Sequence, residues 1–200
     1  PSCSPSRGRF AYFQTSPGCA VIVGSPSALT IRKAWDCSGC RVGRLTLRDD
    51  RRLVLSASRD EGPSHLLMLD LGSGGVRVLT HPPASSLGDM NPLWAADRGR
   101  LYFVRTRVGG LADGDVFALD PARGTVSQVT HVGGWFNELT AGGRDSLTVV
   151  ATRGEGLFSI WRIDLGSGRW RPLTGAGDYI GMSASADGRI RGAFLFCAAG

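Results

Sequence analysis

Between residues 46 and 174 the hydrophobic positions fall in short runs, and three of these runs end on the same polar phrase. Residues 68–80 read MLDLGSGGVRVLT, residues 118–130 read ALDPARGTVSQVT and residues 162–174 read RIDLGSGRWRPLT. Each is an apolar strand ending in Asp, a turn holding Gly or Pro, and a second strand closing on Val-Thr or Leu-Thr. The anchoring Asp70, Asp120 and Asp164 stand 50 and 44 residues apart. Upstream of each copy lies a polar turn followed by another apolar run: Thr46–Leu55, Trp94–Phe103 and Thr140–Val149, with partial copies at Cys3–Tyr12 and Ala184–Arg189. The turn position runs Ser6, Asp49, Asp97, Gly143, Asp187, in steps of 43, 48, 46 and 44 residues. A period of roughly 40–50 residues marks a propeller or solenoid, in which one unit cannot bury its own apolar face and must stack on its neighbours.

Within a unit the pattern predicts four short antiparallel strands. For the second full unit they fall near Asn91–Ala95, Leu101–Thr106, Val116–Asp120 and Val126–Thr130, with a tight turn at Asp97–Gly99. These runs carry β-branched and aromatic residues and are bounded by Gly, Asp, Pro and Ser. Asp suits such turns by bonding its local backbone, and Gly by tolerating positive φ. No stretch forms a capped amphipathic helix. The expected fold is all-β, a β-propeller of four-stranded antiparallel blades, with about four blades plus a partial one in this chain. The units are drawn at approximately 1–45, 46–91, 92–137 and 138–181, with a partial unit at 182–200. The first residues read as the end of an innermost strand and the last as part of a second strand. The expectation is therefore one propeller domain or segment, part of a larger six- to eight-bladed ring. An open ring would present unpaired strand edges and so invite self-association.

Ser58-Arg-Asp-Glu-Gly62, Leu67-Met-Leu-Asp-Leu71 with Val78-Leu-Thr80, Ser185-Ala-Asp-Gly188 and Ser4-Pro5 together resemble the TolB-like, WD40-like (PD40) β-propeller repeat. The resemblance spans nearly the whole chain, with Gly143 in place of the turn Asp and a looser match over residues 14–44. It implies a fold more than a function, because such blades serve periplasmic binding proteins, the gating domains of peptidases, and lyases. From it follow an expected periplasmic or extracellular setting in a bacterium and an expected protein or peptide partner at the propeller funnel.

The formal charge is +6, and Lys33 is the only lysine beside the many arginines. Arg41, Arg44, Arg48, Arg51 and Arg52 form a local basic cluster, read first as a solvated hairpin face and second as a site for an acidic partner. No aromatic residues interleave with it to stack bases, so nucleic acid is not the expected partner. No apolar run approaches the roughly 20 residues that cross a bilayer as a helix. The five cysteines are Cys3, Cys19, Cys37, Cys40 and Cys197. Cys37-Ser-Gly-Cys40 has CxxC spacing without the further ligands zinc needs or the βαβ setting of a thioredoxin-like pair. A disulfide from Cys37 to Cys40 or Cys19 is the first expectation and free, inert thiols the second.

Catalytic motifs are few. Gly181-Met-Ser183-Ala-Ser185 lacks the final Gly of a nucleophile elbow and reads as a blade strand and turn. Gly110-Leu-Ala-Asp113-Gly-Asp115 holds too few carboxylates for a calcium loop and reads as a hairpin tip. No catalytic residue, metal site or cofactor is expected. What stands out is the rim. His81 and His131 follow the repeated Thr80 and Thr130, and the connections beyond them hold Asp89, Asn91, Trp135, Asn137, Glu138, Asp178 and Tyr179. Polar groups beside aromatics at the mouth of a concavity suit a ligand- or partner-binding rim; the plainer reading is that they cap blades and bond loop backbone. The functional expectation is a non-catalytic module for protein–protein interaction or ligand binding. The alternative is the substrate-gating propeller of a prolyl-oligopeptidase-like serine peptidase whose catalytic domain lies outside this chain.

Overall fold

The computed structural model describes residues 2–3, 10–14, 20–25, 30–36, 39–59, 61–95, 99–107, 110–153, 156–175, 177, 179–184 and 190–195. All regular structure among them is β. Four sheets are simple antiparallel meanders whose strands pair in sequence order. The first holds β1 (Ser2–Cys3), β2 (Phe10–Gln14), β3 (Ala20–Ser25) and β4 (Thr30–Asp36). The second holds β5 (Cys40–Leu47), β6 (Arg52–Arg59), β7 (His65–Asp70) and β8 (Val76–Val78). The third holds β9 (Asp89–Ala95), β10 (Arg100–Arg107), β11 (Gly110–Asp120) and β12 (Thr125–Gln128). The fourth holds β13 (Trp135–Ala141), β14 (Ser146–Thr152), β15 (Ser159–Asp164) and β16 (Trp170–Pro172). A fifth contains β17 (Tyr179–Ala184) and β18 (Ile190–Leu195). This is the all-β, propeller-type stacking of four-stranded blades that the repeat requires.

The innermost strands begin at Cys40, Asp89, Trp135 and Tyr179, a few residues ahead of the unit boundaries drawn at 46, 92, 138 and 182. The turn landmark sets the phase of the repeat but not the start of the innermost strand, whose apolar alternation is weak.

Stacking is written into the second strand of each blade. In β6, Leu53, Leu55 and Ala57 pack with Val21 of the first blade, whereas Val54 packs with Leu101 and Phe103 of the third. In β10, Leu101 and Phe103 face the second blade, while Tyr102 and Val104 join Phe136, Leu139 and Leu147 of the fourth. In β14 the odd positions Leu147, Val149 and Ala151 meet the third blade, and Val150 meets Met182 of the fifth. Successive strand residues point to opposite faces. A strand apolar at consecutive positions is therefore buried on both, and its sheet must lie between two others. The outermost strands carry no such run, and all three residues of β8 and all four of β12 are exposed.

The repeated letters now have assignments. Asp70, Asp120 and Asp164 close the turn between the third and fourth strands. The Asp70 carboxylate accepts the Gly72 and Ser73 N–H groups and the Ser73 hydroxyl. That of Asp120 accepts the Ala122 and Arg123 N–H groups, and that of Asp164 the N–H and hydroxyl of Ser167. Four residues later Gly74, Gly124 and Gly168 stand at φ of 74°, 68° and 67°, where a side chain is strained, and each N–H returns to the carbonyl of its Asp. The closing threonines are equally regular. Thr80, Thr130 and Thr174 accept the N–H groups of Leu66, Val116 and Ile160 through their hydroxyls, tying the exit of the blade to its third strand.

Candidate functional site: the face carrying the blade connections

The strands run so that one end of every sheet carries the connections from outermost to innermost strand, together with the hairpins between second and third strands. The rim residues expected from sequence lie at this end or on the innermost strands. Asp178 lies outside the described residues.

His81 is exposed and meets His65 edge-on, with ring centroids 6.0 Å apart. One ring nitrogen of His65 lies 3.0 Å from the Thr80 carbonyl oxygen. His131 is exposed at the repeat-equivalent point on the next connection. Trp135 is 41% exposed and stands edge-on to Phe158 at 5.3 Å between centroids. Phe158 and Tyr179 both pack against the apolar cluster joining the fourth and fifth blades. Leu87, Leu111, Val132 and Leu157 are exposed at the same end of the sheets, Leu157 at 56%.

Asp89 is not free to meet a ligand. It is fully buried, and Arg105 donates to both its oxygens, from Nε at 2.7 Å and from Nη2 at 2.9 Å. The same guanidinium lies over the rings of Phe103 and Phe117. A paired guanidinium and carboxylate out of water need this geometry to offset desolvation.

Asp115 is also fully buried, although its sequence neighbourhood reads as a hairpin tip. Residues 110–115 belong instead to the third strand of this blade, which extends back to Gly110 and pairs it with Arg107. The Asp115 carboxylate accepts hydrogen bonds from Arg107, Gln128, the Thr130 hydroxyl and the Val132 N–H. It thereby shapes the connection that carries His131.

Asn91, Asn137 and Glu138 lie on innermost strands, at irregularities of register. The pairing slips between Val42 and Leu45 in the second blade, between Tyr102 and Val104 opposite Asn91 in the third, and between Phe136 and Glu138 in the fourth. Such bulges re-aim side chains. Asn91, at φ 51°, donates to the carbonyl oxygens of Phe136 and Asn137 on the next blade. One Glu138 oxygen accepts the Met182 N–H of the fifth blade, and the other lies 3.3 Å from Arg44 of the second. These residues therefore lace innermost strands to one another across blades.

Three members of the basic cluster meet neighbouring side chains. Arg44 meets Glu138, Arg48 lies over the Trp94 ring and Arg52 pairs with Asp49. Burial, with Arg52 close by, holds the Arg48 guanidinium below its ordinary pKa. Gly143, which replaces the turn Asp, stands at φ 107°, and beside it the Gly142 N–H donates to the Ser146 carbonyl while the Ser146 hydroxyl donates to the Gly142 carbonyl. Ser183 lies within β17. Cys40 is half-buried with a free thiol, and Cys37 lies outside the described residues. Among the described residues no group of three or more metal-ligating side chains converges, and no helix is long and apolar enough to cross a membrane.

Sequence reasoning missed Arg105, Leu157 and Phe158. None belongs to the repeated phrase, and only the alternation along β10 hints that Arg105 interrupts a buried run.

No family model matches the sequence, and no curated protein is matched by it. Solved structures are similar in fold. TolB from Acinetobacter baumannii superposes with a TM-score of 0.69 at 17% identity, over 94% of this chain and 46% of that one. A puromycin-hydrolyzing peptidase from Mycobacterium tuberculosis gives 0.66 at 19% identity, over 87% of this chain and 28% of that one. A putative TolB from Agrobacterium tumefaciens gives 0.67 at 17%, over 86% and 63%. The chain thus spans about half the length of the first of these and less than a third of the second. At such identities the likeness is one of architecture, and the chain has a TolB-like β-propeller fold.

Proposed function

We propose that this chain is a non-catalytic β-propeller module that binds a protein or peptide through the face carrying its blade connections. The observation that carries the reading is the gathering of exposed Leu87, Leu111, Val132, Trp135 and Leu157 at that end of the sheets. Single exposed apolar residues are ordinary, but several on one face, beside polar rim groups, mark an interaction surface. His81, His131, Trp135 and Tyr179 form the rim of this surface. Asp89, Asn91, Asn137 and Glu138 support it from beneath by fixing the connection and the innermost strands. A periplasmic or extracellular location goes with this role and with the likeness to TolB structures.

A photo-crosslinking residue placed at Leu157 and, separately, at Arg123 on the opposite end tests the proposal in the native host. Adducts at position 157 that disappear on Trp135→Ala are expected, with none at 123. Equal labelling at both ends, or at neither, would sink it.

The second reading is a gating propeller of a prolyl-oligopeptidase-like serine peptidase, favoured by the likeness to the puromycin-hydrolyzing peptidase. In that case the apolar face would be an interdomain contact. Labelling of the native full-length protein by a fluorophosphonate would select this reading over the first.

A further inference from the structure

A concavity lies on the flank between the third and fourth blades and reaches His131 of the rim at one end. It has a volume of about 350 Å³, and its walls include Arg100, Tyr102, Ser127, Gln128 and His131 of the third blade. The hairpin from Leu165 to Gly168 of the fourth blade closes it. This closure is tightly built: a Cβ on Gly168 would lie 2.9 Å from the Val129 carbonyl oxygen, so only glycine lets the hairpin seat there.

The charge of the lining is one-sided. Arg100 and His131 supply nitrogen donors, and no carboxylate is among the lining residues. Neither side chain has a hydrogen-bonding or ion-pair partner among the described residues. The carboxylate nearest in sequence to the hairpin wall, Asp164, is held within its own turn by Ser167. Asp115, to which Gln128 of the lining donates, is already surrounded by donors. Another charged cleft, beside the outer strands of the fourth blade, differs. Arg162, Arg169 and Arg171 share it with Asp145 and Asp164, which oppose an added anion.

At the preceding blade junction the positions of Arg100 and Gln128 hold Arg52 and Val78. There the guanidinium is already paired, with Arg52 2.8 Å from Asp49. Asp97, the sequence counterpart of Asp49, lies outside the described residues.

We infer that this cleft binds a small polar anion, a carboxylate or phosphate on a body of about monosaccharide size, held by Arg100 with His131 and Ser127. Guanidinium suits both anions because its planar fork donates to two oxygens at once. The volume lies near the lower end of the range for small-molecule sites, roughly 300–1,000 Å³.

The test is titration of the protein, with isotope-labelled amides, by glucuronate, glucose 6-phosphate and uncharged glucose. Saturable shifts centred on Ser127, Gln128 and Gly168 are expected with one or both anions and not with glucose. Glucuronate alone would assign a carboxylate, and glucose 6-phosphate alone a phosphate. Arg100→Gln should weaken binding about tenfold or more, as loss of a charge-assisted contact does. Ser127→Trp, which fills the cleft from an exposed position, should abolish it while the melting temperature stays unchanged. Overturning results are no shift at about 10 mM of either anion, an equal response to glucose, or retention of binding in both variants. The first would mean that Arg100 is already neutralised, as Arg52 is. Because Arg100 and Ser127 lie off the rim, crosslinking at Leu157 reports on the other proposal independently.

Discussion

Thr80, Thr130 and Thr174 perform one repeated task, but Thr130 does more than its counterparts. Its hydroxyl accepts the Val116 N–H at 2.9 Å and donates to the Asp115 carboxylate at 2.8 Å, with both threonine and aspartate buried. Thr130→Val keeps the shape and strands a buried N–H beside a buried carboxylate. A loss of about 1–3 kcal/mol follows in chemical denaturation, and a smaller one for Thr80→Val, where no carboxylate is involved. The turn aspartates make a second prediction at this scale. Ser73 N–H and hydroxyl donors hold Asp70 below its ordinary 3.8, and the Ser167 hydroxyl and N–H do the same for Asp164. A carboxylate whose folded pKa is depressed contributes stability above its unfolded value and loses it as pH falls through the folded one. The melting temperature of the wild type should therefore drop on acidification below pH 3.8 more steeply than that of Asp70→Asn/Asp164→Asn. Equal acid slopes would remove these turns from the pH response. The letters responsible were legible in the sequence because turn closure is local, needing only an Asp, a donor and a Gly at fixed offsets.

At the scale of the element, the second strands β6, β10 and β14 are sandwiched and the fourth strands are surface. Leu53 is fully buried between the first and second blades, whereas Val76 on β8 is 43% exposed. Leu53→Ala should cost about 2–5 kcal/mol through lost burial and the cavity left behind, while Val76→Ala should stay within about 0.5 kcal/mol. Matched costs in a denaturant series would contradict the layer order. Strand identity was readable from short apolar runs between turn residues. The bulges of the innermost strands were not, because an extra residue there depends on how neighbouring blades converge rather than on local preference. That is also why Asn91, Asn137 and Glu138 stood out in the sequence as polar residues near the connections, while their lacing of one blade to the next did not. Asp89 drew notice as a polar group in a connection, yet its partner Arg105 lies on the adjacent strand and carries no repeat signature.

For the whole molecule, each apolar cluster joins two neighbouring sheets, so a blade's core belongs half to its neighbour. Stability then passes between nearest neighbours along the array. Hydrogen exchange should be slowest across β6, β10 and β14 together and fastest in β8, β12 and β16. Outer strands as protected as these second strands would mean that the blades are not stacked in this way. The sequence by itself determined the repeat, the all-β class, the four-stranded unit and the turn chemistry, since all of these rest on side-chain alternation and local hydrogen bonds. Tertiary structure alone decided which polar groups are consumed and which are available. Asp89 and Asp115 disappear into buried networks, Arg44 of the basic cluster meets Glu138 two blades away, and Arg100 and His131 come to line one cleft. The physical reason is that burial and charge pairing are set by what the neighbouring blade brings within reach, and no spacing along the chain records that distance.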